Sequence, residues 1–213
     1  MKLFVTGGSA SGKSEYAGKA AETLSGGLPV LYIATLADRS SESVKRVMRH
    51  EMLRKSGRTE YVIAECFSAD DLCRIAEREA AGSMAESGRP RFGAVLFDSL
   101  DGFTADEMFG TAPFPSGLEN FDPEVSAERT SDAVLRTLNI AEHAVIVTDD
   151  IFRGGSEYGE LTEKYMKYTA LTVRRLADMC DAAAEVIYGV PVILKGRQDE
   201  FPEIDGDNAV TLY

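Results

Sequence analysis

The sequence predicts one α/β domain built on a mainly parallel β-sheet with helices on both faces. Three observations support this prediction: short apolar runs alternate with longer amphipathic segments, several runs are almost continuously apolar, and a glycine-rich turn follows the first run. A chain of 213 residues is long enough for one such domain with a sizeable core, whereas two full domains would be cramped.

The apolar runs give the strands in chain order. We predict strands over residues 3–6, 30–34, 61–65, 94–98, 144–148 and 185–188, with a short strand over 192–195. The amphipathic patterns predict helices over residues 13–24, 41–55, 69–86, 123–139 and 160–181. We expect a single domain over residues 1–195, with a loop or lid at 110–122, followed by an acidic surface tail over 196–213.

Composition excludes several classes of protein. The net charge of −12 argues against a nucleic-acid surface, which would be basic. No stretch approaches the ~20 apolar residues of a membrane span, and the first apolar run is too short for a signal peptide. The three cysteines lie far apart without a C-x-x-C pair, so we interpret them as packing residues in a reducing compartment. These features predict a cytoplasmic protein.

The strongest motif follows the first strand and fits the pattern G-x-x-x-x-G-K-[ST]. It reads Gly7-Gly8-Ser9-Ala10-Ser11-Gly12-Lys13-Ser14. The glycines allow successive N–H groups to point at phosphate oxygens, and the following helix adds its positive end. Lys13 is expected to reach the β- and γ-phosphates and Ser14 to bind Mg²⁺. The alternative is a chance Gly/Ser-rich turn, but its place between a strand and a helix favours a P-loop of the RecA-like kind.

A second motif agrees with the P-loop. Residues 94–98 form an apolar run that ends in Asp98, as in a Walker B strand whose carboxylate holds Mg²⁺. An aspartate after a strand is otherwise a turn former or a helix cap. We predict the metal role for Asp98 and a helix-start role for Asp101. No organic cofactor is predicted.

Of the two histidines, His50 has the more suggestive surroundings. On the predicted helix 41–55, Arg46, His50 and Arg54 recur every four residues. Their face of the helix is rotated by about 200° around the axis from an apolar stripe that contains Val44. Two guanidinium groups beside an imidazole suit phosphate, and their charge favours the neutral, nucleophilic imidazole. A solvated basic face explains the same spacing. His143 precedes a strand without polar neighbours in the sequence and is interpreted as structural.

In combination, these motifs resemble a known family. The order is the P-loop, Tyr32-Ile33-Ala34-Thr35, Arg46-x-x-Arg49-His50, a strand ending in Asp98, and Val147-Thr148-Asp149-Asp150. It is similar to the bifunctional adenosylcobinamide kinase/adenosylcobinamide-phosphate guanylyltransferase family of cobalamin biosynthesis, from about residue 2 to residue 195. The chain differs from the family at Ala10, commonly Arg, at the Asn-Glu-Val-Gly turn that reads 149–152 here, and at Val173, often Asn.

The resemblance implies two activities. One phosphorylates the aminopropanol hydroxyl of adenosylcobinamide with ATP or GTP; the other passes GMP from GTP through His50 to the new phosphate. Arg46 and Arg49 are then expected to offset phosphate charge, and Thr35 and Asp150 to contact nucleotide. The resemblance also suggests a homotrimer.

Two other classes fit the residues. In a plain small-molecule P-loop kinase, His50 only contacts phosphate, and covalent guanylylation separates that class from the bifunctional enzyme. In a nucleotide-binding switch, the 110–122 loop is a partner surface, hydrolysis is slow and no phosphate reaches a small acceptor. The switch gives no role to a histidine between two arginines.

Overall fold

The fold is seen in a computed structural model that describes residues 1–35, 59–86, 90–110, 121–155, 157–204 and 210–211. Its strands are β1 (Lys2–Gly7), β2 (Val30–Ala34), β3 (Tyr61–Glu65), β4 (Ala94–Asp98), β5 (His143–Asp149), β6 (Ala182–Ile187), β7 (Val190–Lys195) and β8 (Val210–Thr211). Its α-helices are α1 (Lys13–Leu24), α2 (Ala69–Glu86), α3 (Leu100–Phe109), α4 (Pro123–Leu138) and α5 (Glu160–Met179). The predicted helix 41–55 and residues 111–120 of the predicted loop lie outside the described residues.

The strands form one sheet in the order β3-β2-β4-β5-β1-β6-β7-β8. The first six strands of this order are parallel to one another, β7 runs antiparallel to β6, and β8 is parallel to β7. The predicted fold class, an α/β fold with a mainly parallel central sheet, is therefore confirmed.

Both faces of the central strands are buried, which explains their unbroken apolar sequences. Along β5, Ile146 lies in the core cluster that includes residues of α2, α4 and α5, whereas Val145 and Val147 lie in the cluster formed with α1. Successive side chains of a strand point to opposite faces, so a strand covered on both sides needs apolar residues at every position. The same strands end together at one sheet edge, where the P-loop begins.

Two parts of the fold differ from the prediction. The predicted helices did not include α3, although a helix start was expected at Asp101, because α3 buries Thr104 and Asp106 among its apolar residues and so hides the helical period. The tail after Lys195 was expected on the surface, yet Phe201 and Ile204 are buried against the core cluster of α1. Two apolar side chains are enough to anchor an otherwise acidic segment.

The predicted packing role of the cysteines has a direct test. Burial raises the pKa of Cys66 and of Cys180 to about 12, whereas Cys73 is only half-buried. Because the thiolate is the reactive form, the native protein at pH 8 is expected to react at one thiol only, and at all three after unfolding. Titration with a thiol-specific chromogenic reagent measures this number. Rapid reaction of two or more thiols in the folded protein would contradict the burial.

Candidate functional site

The candidate site lies where four parallel strands end side by side. In the sheet register, Gly7 of β1 pairs with Asp149 of β5, and Ala34 of β2 pairs with Asp98 of β4. The P-loop and both carboxylates therefore lie at the carboxyl edge of the sheet, the place where open α/β sheets bind ligands.

The shape of the P-loop depends on two of its glycines. Gly12 has a φ of 93°, in the left-handed region that glycine adopts without cost. A Cβ on Gly7 would lie 2.6 Å from the Ser11 Oγ and equally close to the Val186 carbonyl oxygen. Within the described residues, no side chain caps helix α1. The N–H groups of its first turn are thus available to an anion, as a phosphate loop requires.

Lys13 is held by the loop and by the neighbouring strand. Its side chain is 4% exposed; the Nζ donates a hydrogen bond to the Gly8 carbonyl oxygen at 3.0 Å and forms an ion pair with the carboxylate of Asp149. A buried ammonium needs such partners, because removing it from water is costly. Sequence reasoning assigned Lys13 to phosphate but missed Asp149 as its partner. The pairing depends on the β1–β5 register, which the sequence does not reveal.

Ser14 and Asp98, the predicted metal ligands, are brought together. The Ser14 hydroxyl donates to Asp98 Oδ1 at 3.5 Å, and the Tyr32 hydroxyl donates to Asp98 Oδ2 at 3.4 Å. Both metal candidates are only half-buried, so a ligand can approach them. Ser14 and Asp98 thus place one hydroxyl and one carboxylate beside the P-loop. The second hydroxyl, that of Tyr32, contacts the other oxygen of the same carboxylate.

Thr35 joins the ends of two strands through its hydroxyl. The Thr35 Oγ1 accepts a hydrogen bond from the Ser99 N–H at 2.8 Å and donates one to the Ser99 carbonyl oxygen at 2.7 Å. Sequence reasoning expected Thr35 to contact nucleotide. These two bonds give its hydroxyl a structural task, which is to fix the chain directly after Asp98.

This task predicts a stability effect. Thr35→Val keeps the shape of the side chain but leaves two backbone groups of Ser99 without their partner, so the free energy of unfolding is expected to fall by about 1–3 kcal/mol. Thr35→Ser keeps the hydroxyl and is the matched control. Urea unfolding measures both variants. A valine variant as stable as the wild type would show that the hydroxyl is dispensable for the fold.

Asp150 lies beside the P-loop but its carboxylate is already engaged. Its N–H donates to the Gly7 carbonyl oxygen at 3.0 Å, while its Oδ2 lies 2.5 Å from the Arg153 Nε. Arg153 also contacts Glu185 of β6 at 2.6 Å. The predicted nucleotide contact of Asp150 therefore requires the Arg153 pair to open or to be shared.

Asp101 lies in the first turn of α3, in agreement with the predicted helix start, and also supports the site. Its Oδ1 accepts the Asp149 N–H at 2.8 Å, and the Tyr165 hydroxyl donates to its carbonyl oxygen at 3.0 Å. Burial raises the pKa of the Asp101 carboxyl, and the negative charge of Asp149 adds to the rise. Asp101 thereby fixes the strand end that carries the partner of Lys13.

The remaining candidates are not part of the described site. His50, Arg46 and Arg49 lie outside the described residues. His143 lies at the start of β5, at the sheet edge opposite the P-loop, with its Nδ1 2.9 Å from the N-terminal amine. Burial lowers the pKa of His143, and the positive amine lowers it further. This placement agrees with a structural interpretation of that histidine.

The glycine-rich motif and its place at the carboxyl edge of the sheet define a P-loop protein. Residues 3–194 match the model of the cobinamide kinase/cobinamide phosphate guanyltransferase family, and the chain belongs to that family. The family is one of transferases in cobalamin biosynthesis, with nucleotide and cobinamide substrates. The resemblance predicted from the motifs is confirmed.

Two further comparisons concern curated proteins and solved structures. No curated protein matches the sequence significantly. Among solved structures, the chain is similar to the flagellar accessory protein FlaH from Methanocaldococcus jannaschii, with 14% identity and a TM-score of 0.44 over 92% of this chain and 78% of that chain. Within the described ranges, no helix is long and apolar enough to span a membrane.

Proposed function

We propose that this chain phosphorylates the aminopropanol hydroxyl of adenosylcobinamide and then transfers GMP from GTP to the new phosphate. The observation that carries the kinase step is the convergence of Lys13, Ser14 and Asp98 at the carboxyl edge of the sheet, in a chain of this family. The second step rests on His50, the residue that matches the guanylylated histidine of the family.

In the first step, the acceptor hydroxyl oxygen attacks the γ-phosphorus, the bond from that phosphorus to the bridging oxygen breaks, and the nucleoside diphosphate leaves with the electron pair. The hydroxyl proton passes to water. The P-loop N–H groups and Lys13 bind the phosphate oxygens on which negative charge accumulates. Lys13 must release or share Asp149 to do so. The ion pair therefore holds the ammonium in place until phosphates replace the carboxylate.

Magnesium fits the Ser14–Asp98 pair. Among the described residues no group of three or more His, Cys, Asp or Glu is placed to hold a metal. Mg²⁺ does not need such a group, because it commonly keeps waters and takes one or two protein oxygens together with substrate phosphates. Ser14 and Asp98 would hold it, and it would neutralise charge on the β- and γ-phosphates.

In the second step, an imidazole nitrogen of His50 attacks the α-phosphorus of GTP. A nitrogen–phosphorus bond forms, the bond to the bridging oxygen breaks, and pyrophosphate leaves with the electron pair. A phosphate oxygen of cobinamide phosphate then displaces the imidazole and forms the diphosphate link. The covalent intermediate divides one difficult transfer into two easier displacements. Arg46 and Arg49 are expected to stabilise the departing pyrophosphate.

Product analysis tests both steps. The protein is incubated with adenosylcobinamide, Mg²⁺ and either ATP or GTP. The corrinoids are then separated, and their masses are measured by mass spectrometry. We expect cobinamide phosphate first and GDP-cobinamide only with GTP. Arrest at the phosphate would favour the plain kinase, and unchanged corrinoid with bound nucleotide would favour a switch or another acceptor.

The homotrimer stays a prediction, and a light-scattering measurement of the molecular mass checks it.

A further inference from the structure

The β6–β7 hairpin packs directly against the P-loop. The Gly189 N–H donates to the Ser11 carbonyl oxygen at 2.7 Å, and a Cβ on Gly12 would lie 3.2 Å from the Gly189 Cα. The residue before Gly189 is Tyr188, whose surface is 94% exposed. A large aromatic side chain thus stands in solvent one residue from a contact with the phosphate loop.

Tyr188 is also an unfavourable choice for its backbone position. Ile187 pairs with Val190, so Tyr188 and Gly189 form a two-residue turn, and both have positive φ values, 50° and 82°. Such turns favour asparagine, aspartate or glycine, because a bulky side chain is strained in the left-handed region. A tyrosine that is both strained and exposed gains nothing for folding, which points to a role in binding.

The order of strands indicates which part of a nucleotide reaches this tyrosine. Along the carboxyl edge, Asp98 of β4 and Asp149 of β5 lie on one side of the P-loop, and the β6–β7 hairpin lies on the other. A metal held by Asp98 and Ser14 would neutralise the β- and γ-phosphates, so the terminal phosphates would lie toward β4. A nucleoside attached to the α-phosphate would then extend toward the hairpin, which lies on the other side of the P-loop.

We propose that Tyr188 forms one wall of the base subsite and stacks on the purine of the nucleotide bound at the P-loop. This inference rests on the proposed nucleotide binding. Stacking on an aromatic ring tolerates different bases, because every base has a π-face. The same ring therefore serves ATP and GTP, and discrimination between them requires other groups.

Tyr188→Asn is the decisive variant, because it removes the ring and supplies a side chain that the turn favours. Binding of GTP, ATP and inorganic tripolyphosphate, each with Mg²⁺, is measured by calorimetry. We expect the Kd for both nucleotides to rise about tenfold or more, while the Kd for tripolyphosphate, which has no base, stays unchanged. Tyr188→Phe keeps the ring and is expected to bind like the wild type.

The control variant is Leu194→Ala, which shortens an exposed apolar side chain on the same hairpin far from its tip. Unchanged nucleotide affinity in Tyr188→Asn, or an equal loss for tripolyphosphate, would overturn the base subsite and leave the P-loop proposal standing. A wild-type protein that binds neither tripolyphosphate nor nucleotide would overturn both. The two failures are therefore distinguishable.

Discussion

Lys13→Met is expected to lower kcat/KM for phosphoryl transfer by at least about 10²- to 10³-fold. Methionine keeps the unbranched stem up to the Cε position but removes the ammonium that the loop places 3.0 Å from the Gly8 carbonyl oxygen. A fixed cation beside the transferring phosphate stabilises charge in the transition state without reorganisation. Steady-state kinetics with adenosylcobinamide and a nucleoside triphosphate measure the loss.

The variant needs a control for stability, because Asp149 loses its cation. An unpaired, partly buried carboxylate is destabilising, so Lys13→Met alone is expected to unfold at lower urea concentration. Adding Asp149→Asn removes that charge and is expected to restore stability without restoring activity. Lys19→Met, on the exposed part of the same helix, controls for the loss of a positive charge. Wild-type kcat/KM in the Lys13 variant would contradict the assignment of this lysine to phosphate.

His50→Ala is expected to separate the two activities. Formation of GDP-cobinamide should fall by several orders of magnitude, on the scale of the roughly 10⁶-fold losses seen when a covalent nucleophile is removed. Phosphorylation of adenosylcobinamide should continue, because Lys13, Ser14 and Asp98 are unchanged. Chromatography of the corrinoid products measures both rates in one reaction.

The control for this variant is His143→Ala, which removes the other histidine at the opposite edge of the sheet. It is expected to retain both activities. Continued formation of GDP-cobinamide by the His50 variant would exclude this histidine as the carrier of GMP. Loss of both activities together would instead place His50 in the phosphoryl-transfer site, as the plain kinase hypothesis has it.

The sequence predicted the elements that local patterns determine. The continuous apolar runs at 30–34 and 94–98 match β2 and β4, and the helix that follows the P-loop begins at Lys13 as predicted. These elements are recognisable because a strand buried on both faces, or a helix after a glycine turn, has a periodicity of its own. Helix α3 has no such periodicity, because it buries polar residues among its apolar ones. One of them is Thr104, whose hydroxyl forms a hydrogen bond with the Thr169 hydroxyl at 2.8 Å.

The candidate site was predictable in its motifs but not in its contacts. The P-loop and Asp98 are each recognisable in the sequence. The Lys13–Asp149 ion pair and the hydrogen bond from the Gly189 N–H to the Ser11 carbonyl oxygen instead join distant segments. Such contacts follow from strand order and register, which no local pattern encodes. Thr35 illustrates the same limit, because its bonds to Ser99 depend on β2 lying beside β4.

The most direct test is to detect GMP on the protein. The protein is incubated with Mg²⁺ and GTP labelled at the α-phosphate, denatured, and examined beside the His50→Ala variant. Protein-bound label that is lost in acid, survives base and is absent from the variant is the predicted result, since it identifies a histidine phosphoramidate. Unlabelled wild-type protein that demonstrably binds GTP would contradict the guanylyl-transfer step, and a P-loop kinase acting on another acceptor would then be favoured.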